Sequence, residues 1–183
     1  MMNIITIVGS LRKDSYNKQL AYTMKERYKG KLNIEIADIR SLPFYDQDEE
    51  NNPPQSVKDF KEVVAKADGV IIVTPEFNWS IPGVLKNALD WASRVDKVFI
   101  NKPVMTLGTT LGALGTIRAQ MHLREILASP GIQAKVLPPG GNEVLIAFAN
   151  QKFDEQTGQL VDEETLKFLD SKIEAYVQFA KSV

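Results

Sequence analysis

The chain has 183 residues, of which 44% are hydrophobic and 25% charged, a composition typical of one soluble globular domain with a sizeable core. Its formal net charge of -1 provides no overall field that would attract nucleic acid or an anionic membrane surface. The absence of cysteine excludes disulfides and thiolate ligands, and the single histidine excludes a histidine-rich metal site, so we expect no bound metal.

Two further patterns bear on where the protein works. The N-terminus lacks the basic segment and following apolar stretch that mark a signal peptide. No apolar run approaches the ~18 residues needed to span a bilayer. We therefore predict a cytoplasmic protein that has neither a membrane partner nor a nucleic-acid partner.

The first part of the chain reads as strand, helix, strand. An apolar first strand covers residues 3–8, and a polar turn over 9–17 leads into a helix that ends near residue 29. The second strand, 32–37, alternates apolar and polar residues. This alternation is typical of a half-exposed strand at the edge of a sheet.

The middle of the chain repeats the same order of elements. A polar connection over 38–54 precedes a helix over 55–67, and the third strand, 70–73, is a continuous β-branched run. Such a run suits burial on both faces of a parallel sheet. Pro75 ends this strand because proline lacks the N–H that the ladder needs, and a helix follows over 82–95.

Two more strands and two helices follow. The fourth strand covers residues 103–107, and a glycine-rich loop over 108–115 leads into a helix over 116–128. The fifth strand, 132–136, alternates like the second strand. The next segment is irregular, with a short extra strand predicted within 144–148, and Asp162 is the expected N-cap of the last helix.

The alternation of strands and helices predicts an α/β fold with a doubly wound parallel sheet. The second and fifth strands have the pattern of edge strands, which favours the order 2-1-3-4-5 with helices on both faces. This is the flavodoxin-like arrangement. No repeat or linker divides the sequence, so we predict a single domain over residues 1–183.

In this strand order, ligands bind at the switch point between the first and third strands, outside their carboxyl ends. The loops after the first, third and fourth strands converge there. In the first loop, Ser10, Arg12, Ser15 and Asn17 precede a helix N-terminus, which attracts anions such as phosphate. The loop matches neither G-x-G-x-x-G nor a P-loop. The alternative is a polar turn with Ser15 as N-cap.

The second loop, 75–79, offers a fixed turn and an aromatic wall against which a planar heterocycle could lie. Asn78 could hydrogen-bond the polar edge of such a ring. The alternative is that Phe77 and Trp79 are packing residues. Glu76 is the one carboxylate in this region, and we expect it to form a turn or to anchor backbone rather than to act as an acid or base.

The third loop, 108–115, contains three glycines and two threonines, so its backbone can approach a ligand closely. The alternative is a glycine-rich turn with Thr116 as the N-cap. His122 lies inside the following helix with no second ligand or nucleophile near it in sequence, so we expect a packing or surface role.

The helix over 82–95 carries an apolar face spread over ~160°, which is wider than one contact with a sheet requires. Trp91 lies within this face. The width predicts a subunit contact and hence a homodimer or homotetramer. The alternative is a deeply buried helix with Lys86, Asp90 and Arg94 turned to solvent.

Several segments resemble one known family. The sequence TPEFNWSIPGVLKNALDWASR, Thr74–Arg94, is closely similar to that of the NAD(P)H-dependent FMN reductases, which include quinone, chromate and azo reductases. Gly9–Asn17 looks like the phosphate loop of that family. Met121–Leu127 and Asp154–Gly158 resemble its chromate and quinone reductase branch.

The resemblance implies a flavodoxin-like homodimer or homotetramer that binds FMN non-covalently and uses NAD(P)H as co-substrate. Phe77 departs from the tyrosine that is common in the family, so the contribution of that hydroxyl is missing. Trp79 stands where tyrosine or another aromatic residue is common, which reshapes the substrate face. The implied FMN contacts are Ser10, Arg12, Ser15, Tyr16 and Asn17 at the phosphate, Pro75, Glu76, Phe77 and Asn78 along the isoalloxazine, and Thr109, Thr110 and Gly112 on another side.

We therefore predict an oxidoreductase in which the flavin, rather than a side chain, carries the chemistry. NAD(P)H would reduce the flavin, and a small acceptor would then take two electrons in a ping-pong reaction. Quinones, azo compounds, chromate and free flavin all fit. The alternatives are a flavodoxin-type electron carrier, against which Arg12 and the near-neutral charge argue, and a flavin-free domain that keeps the fold.

Overall fold

The computed structural model describes residues 1–183, in which six strands and five α-helices alternate except that the last two strands follow each other directly. Short 3₁₀ turns occupy Gln47–Glu49 and Ala149–Gln151. None of the α-helices combines the length and the apolar character that crossing a membrane requires. The strands are β1 (Met2–Val8), β2 (Leu32–Ile36), β3 (Gly69–Val73), β4 (Pro103–Thr109), β5 (Lys135–Val136) and β6 (Val144–Ile146), and the helices are α1 (Tyr16–Arg27), α2 (Gln55–Lys66), α3 (Gly83–Ala92), α4 (Ile117–Ala128) and α5 (Glu163–Ser182).

The sheet is parallel throughout, in the order β2-β1-β3-β4-β5, with β6 also paired to β4. The predicted flavodoxin-like order is therefore confirmed. It follows from burial, because β3 is buried along its whole length while β2 alternates between buried and exposed residues. The carboxyl ends of β1, β3 and β4 lie side by side at one edge of the sheet.

The strand position beyond β4 is divided between two short strands. β5 pairs with the start of β4, and β6 pairs with its end, where Thr109 lies opposite Ile146. The predicted fifth strand, 132–136, begins three residues too early. Gln133 has a φ of 53°, and its N–H donates to the carbonyl oxygen of Ser129 at the end of α4, so the chain is still turning there. The predicted extra strand is real but ends at Ile146.

The two faces of the sheet carry separate hydrophobic cores. Because side chains alternate along a strand, Val70 and Ile72 of β3 face a core shared with α2, α3 and α4. Ile71 and Val73 face a second core shared with α1 and α5. Burying such a side chain contributes about 1.5–3 kcal/mol. Helices on both faces thus hold the site-bearing strands in place.

α5 begins as predicted, with a carboxylate oxygen of Asp162 accepting a hydrogen bond from the Thr165 N–H at 2.9 Å. The face of α5 that packs on the sheet includes Tyr176, which is fully buried. The Tyr176 hydroxyl lies 3.1 Å from the carbonyl oxygens of both Val70 and Pro103. Gly69 makes room for this hydroxyl, since a Cβ there would lie 2.2 Å from it.

The polar connection after β2 packs over α3 and covers its wide apolar face. Trp91 is 1% exposed, its Nε1 donates to the carbonyl oxygen of Pro43 at 2.9 Å, and its ring meets Tyr45 edge-to-face. The Asn87 side chain donates from Nδ2 to the carbonyl oxygen of Pro43 and accepts at Oδ1 from the Tyr45 N–H, both at 2.8 Å. Intrachain packing therefore accounts for Trp91, as in the buried-helix alternative, and the homodimer or homotetramer stays a prediction.

Candidate cofactor and substrate site

Three loops at the carboxyl edge of the sheet are held together by the backbone that precedes them. The Gly9 N–H donates to the carbonyl oxygen of Val73 at 2.9 Å, and the Thr74 N–H donates to the carbonyl oxygen of Leu107 at 3.0 Å. Gly108 permits the closest approach, since a Cβ there would lie 2.2 Å from the Thr74 carbonyl oxygen. Arg12 in the first loop, Asn78 in the second and Thr109 at the end of β4 therefore all lie at the edge of the sheet where this strand order places a ligand crevice.

A side-chain clamp joins the first loop to the third. Asn17 is buried, its Nδ2 donates to the Thr109 carbonyl oxygen at 2.9 Å, and its Oδ1 accepts from the Thr109 N–H at 3.0 Å. The amide thus pairs with backbone as a neighbouring strand would. It is committed to Thr109, so the group that Asn17 can offer a phosphate is its backbone N–H.

The first loop has the donors that a phosphate requires. None of the backbone N–H groups of residues 10–17 donates a hydrogen bond within the chain. They surround the N-terminus of α1, where Ser15 is the N-cap and accepts from the Lys18 N–H at 3.5 Å. The exposed Arg12 guanidinium lies 6.0 Å from the Tyr16 ring centroid. Free N–H groups at a helix N-terminus are a ready anion site.

The second loop is a two-residue turn of type I′. Phe77 and Ser80 exchange two backbone hydrogen bonds of 2.9 Å, and the residues between them, Asn78 and Trp79, have φ values of 51° and 63°. This geometry leaves Phe77 55% and Trp79 68% exposed. The Asn78 side chain is also exposed and makes no hydrogen bond within the chain. The expected aromatic wall therefore faces solvent rather than the core.

Glu76 anchors the start of α4, in line with the role expected for it. Its Oε2 accepts from the N–H groups of Arg118 at 2.9 Å and Ala119 at 3.2 Å. Thr116 occupies the N-cap position, but its φ is 67° and its side chain makes no capping bond. The Glu76 carboxylate therefore takes over the capping of this helix and sets the distance between the second and third loops.

The third loop presents an orphaned hydroxyl and open backbone. Thr109 is 2% exposed, and its Oγ1 has no hydrogen-bond partner. Leaving such a group unsatisfied costs about 1–3 kcal/mol. Thr110 accepts from the Gly112 N–H at 3.3 Å, and a Cβ on the exposed Gly112 would meet nothing closer than 4.0 Å. A polar ligand that bonds Thr109 would remove the penalty.

Sequence reasoning missed Arg118, which lies next to the second loop. Its guanidinium carbon is 4.4 Å from the Trp79 ring centroid. One turn further along α4, His122 is exposed and its Nδ1 lies 3.1 Å from the Ser80 hydroxyl oxygen. Arg118 follows the glycine-rich loop closely in sequence, but only the fold brings it to a tryptophan some forty positions earlier.

The comparisons with known proteins agree with this geometry. The sequence model described as NADPH-dependent FMN reductase matches residues 2–151. The NADH-dependent flavin reductase subunit 2 of Lactobacillus johnsonii is 42% identical over 184 residues, which cover 98% of each chain. The 2-hydroxy-1,4-benzoquinone reductase of a Burkholderia species is 41% identical over 182 residues, which cover 98% of this chain and 97% of the relative.

A solved structure matches over the same length. The flavoenzyme FerB, an NAD(P)H:(acceptor) oxidoreductase from Paracoccus denitrificans, superposes with a TM-score of 0.87 at 31% sequence identity, covering 100% of this chain and 98% of FerB. Coverage is thus nearly complete in both directions, and the match does not depend on one motif. The chain belongs to the NADPH-dependent FMN reductase family, which confirms the predicted oxidoreductase class together with its FMN and its nicotinamide co-substrate.

Proposed function

We propose that this oxidoreductase passes two electrons from NAD(P)H to a small planar or inorganic acceptor such as a quinone, an azo compound, chromate or free flavin. The observation that carries the proposal is the set of unpaired N–H groups over residues 10–17, at the same edge of the sheet as the aromatic turn and joined to the third loop by the Asn17 clamp. This arrangement suits a ligand with a phosphate at one end and a flat ring system at the other.

The residues present fit FMN. Free N–H groups and the Arg12 guanidinium would hold the phosphate, and charge-assisted bonds of this kind contribute about 1.5–3 kcal/mol each. The unpartnered Thr109 hydroxyl and the free Asn78 amide would meet polar atoms of the ring. Bound there, FMN supplies the two-electron redox chemistry, which no side chain of the chain provides.

The chain's own residues bind and orient what meets the flavin. The exposed faces of Phe77 and Trp79 offer a surface on which planar molecules can stack. A stacked molecule displaces water from this surface. One such surface serves the nicotinamide and the acceptor in turn, which supports a ping-pong order. The Glu76 carboxylate is committed to the backbone of α4 and is not free to act as a base.

Titration of the apoprotein with FMN, followed by NAD(P)H oxidation, tests the proposal. We expect FMN binding and FMN-dependent oxidation, and we expect Arg12→Ala to weaken FMN binding by roughly 1–3 kcal/mol. Lys25→Ala is the matched control, because it removes one exposed positive charge from the far end of α1. A chain that neither binds FMN nor oxidises NAD(P)H would overturn the assignment.

We also propose a homodimer or homotetramer formed around α3. The supporting observation is the side chain of Phe44, which is 90% exposed within the segment that covers α3. The exposed Val95 lies just beyond the end of the same helix. Light scattering of wild type and Phe44→Asp tests this, and an unchanged molar mass in the variant would contradict it. The cytoplasmic location expected from the sequence stays a prediction.

A further inference from the structure

Arg118 and Trp79 form an exposed platform at the edge of the crevice. The guanidinium carbon lies 4.4 Å from the indole ring centroid, a cation–π distance. The Trp79 residue is 68% exposed and the Arg118 side chain 41% exposed, so a ligand can reach both groups. An exposed tryptophan of this kind carries a large apolar surface that the fold itself does not use.

The positive charge of the platform is only partly balanced. Glu76 is the carboxylate nearest to the Arg118 guanidinium, but its Oε1 is 3.9 Å from Nη1, which is beyond hydrogen-bond distance. Its other oxygen accepts from two backbone N–H groups, and its side chain is only 16% exposed. The guanidinium makes no hydrogen bond within the chain, so its N–H donors remain available beside the ring.

Both members of the platform are held on rigid elements. The type I′ turn fixes the backbone of Trp79, and the first turn of α4 fixes Arg118. Two contacts tie the turn to that helix, namely the Glu76 cap and the approach of His122 to Ser80 at 3.1 Å. A preorganised surface loses less conformational entropy when it binds a ligand.

We propose that the Arg118–Trp79 platform selects planar acceptors that carry a negative charge. The acceptor ring lies against Trp79, and the free N–H groups of Arg118 bond a carboxylate, sulfonate or ring oxyanion. A guanidinium fork suits such oxygens better than an ammonium group does. The inference rests on the proposed function, since it names the substrate class of that same site.

Calorimetric titration of the full FMN-loaded chain with two ligands that cannot be reduced measures the selection directly. The probes are 2-naphthoate and 2-naphthamide, which share a ring and differ in charge. We expect naphthoate to bind about tenfold more tightly to wild type, and Arg118→Gln to abolish that ratio. Arg118→Lys should restore part of it, whereas Trp79→Leu should weaken both ligands together.

Lys172→Gln is the matched control. Lys172 lies 4.9 Å from the Phe168 ring centroid on α5, so this change removes the same charge and another cation–π contact at a different place. The naphthoate preference should persist in this variant. The proposal is overturned if wild type shows no preference, or if Arg118→Gln and Lys172→Gln behave alike.

Turnover separates this inference from the proposed function. At saturating NADH, the ratio of kcat/KM for 1,4-naphthoquinone-2-sulfonate to that for 1,4-naphthoquinone should fall about tenfold in Arg118→Gln. If naphthoate binding depends on Arg118 but the loaded chain oxidises no NAD(P)H, the proposed function fails and the anion platform stands. If turnover is normal but the ratio is unchanged, the reductase stands and the platform fails.

Discussion

Asn17 shows how a polar side chain near a ligand can belong to the scaffold. Its buried amide makes both hydrogen bonds that the Thr109 backbone requires, and those bonds join two loops that are distant in sequence. From its position and residue type alone, Asn17 is predicted to bind phosphate, because an asparagine at a helix N-terminus is common in anion sites as well as in scaffolds. The partner that separates the two roles is 92 residues away, and the sequence does not reveal it.

Replacing Asn17 by alanine should destabilise the fold as well as the site. Two buried backbone groups of Thr109 would lose their partners, at about 1–3 kcal/mol each, so we expect the free energy of unfolding to fall by roughly 2–6 kcal/mol. Urea denaturation measures this. Asn33→Ala, which removes an exposed bond to Asn3, is the control and should cost less than about 0.5 kcal/mol. Equal losses in the two variants would contradict the clamp.

At the scale of elements, the helix and strand pattern was predictable where the signal was local. Residue periodicity, the β-branched run of β3 and the Asp162 cap all lie within a few positions of what they determine. The late start of β5 was missed because the alternating pattern does not reveal that Gln133 has a positive φ and bonds Ser129 at the end of α4. The burial of Trp91 was not predictable, because it depends on the distant segment around Pro43. The same limit applies to the Arg118–Trp79 contact.

The N-cap of α5 should make stability depend on acidic pH. Bonds from Thr165 and then from Lys152 hold the pKa of Asp162 at about 2, below its ordinary value. The carboxylate is thus favoured in the folded state, so its stabilisation is complete above the unfolded pKa of about 4 and is lost as pH falls towards 2. Unfolding of Asp162→Asn should be less sensitive to pH between about 5 and 2. Parallel profiles for wild type and variant would argue against this cap.

Trp91→Phe distinguishes intrachain packing from a subunit contact. The change removes the hydrogen bond to Pro43 and leaves a void under the connection, so we expect a loss of about 1–3 kcal/mol in the free energy of unfolding. The oligomeric mass should stay the same, because Trp91 is 1% exposed within its own chain. Thermal unfolding and light scattering measure the two quantities. Dissociation without destabilisation would place Trp91 at an interface instead.

For the whole molecule, the order of the strands is what brings phosphate donors and aromatic wall together. β1 and β3 are neighbours in the sheet although α1, β2 and α2 separate them in sequence. The burial pattern of individual strands predicted this order, and with it the convergence of the three loops. A ligand that contacts all three loops should therefore raise the free energy of unfolding of the whole domain.

FMN at about a hundred times its Kd should raise the free energy of unfolding by about 2.7 kcal/mol, because it binds the folded chain alone. For a domain of this size each kcal/mol raises Tm by roughly 2–4 °C. Riboflavin is the matched control, since it has the same ring but cannot occupy the N–H groups of residues 10–17. At equal concentration its effect should be far smaller, and Arg12→Ala should reduce the difference between the two ligands. Equal stabilisation by both would mean that the first loop contributes nothing, and that the ring alone is recognised.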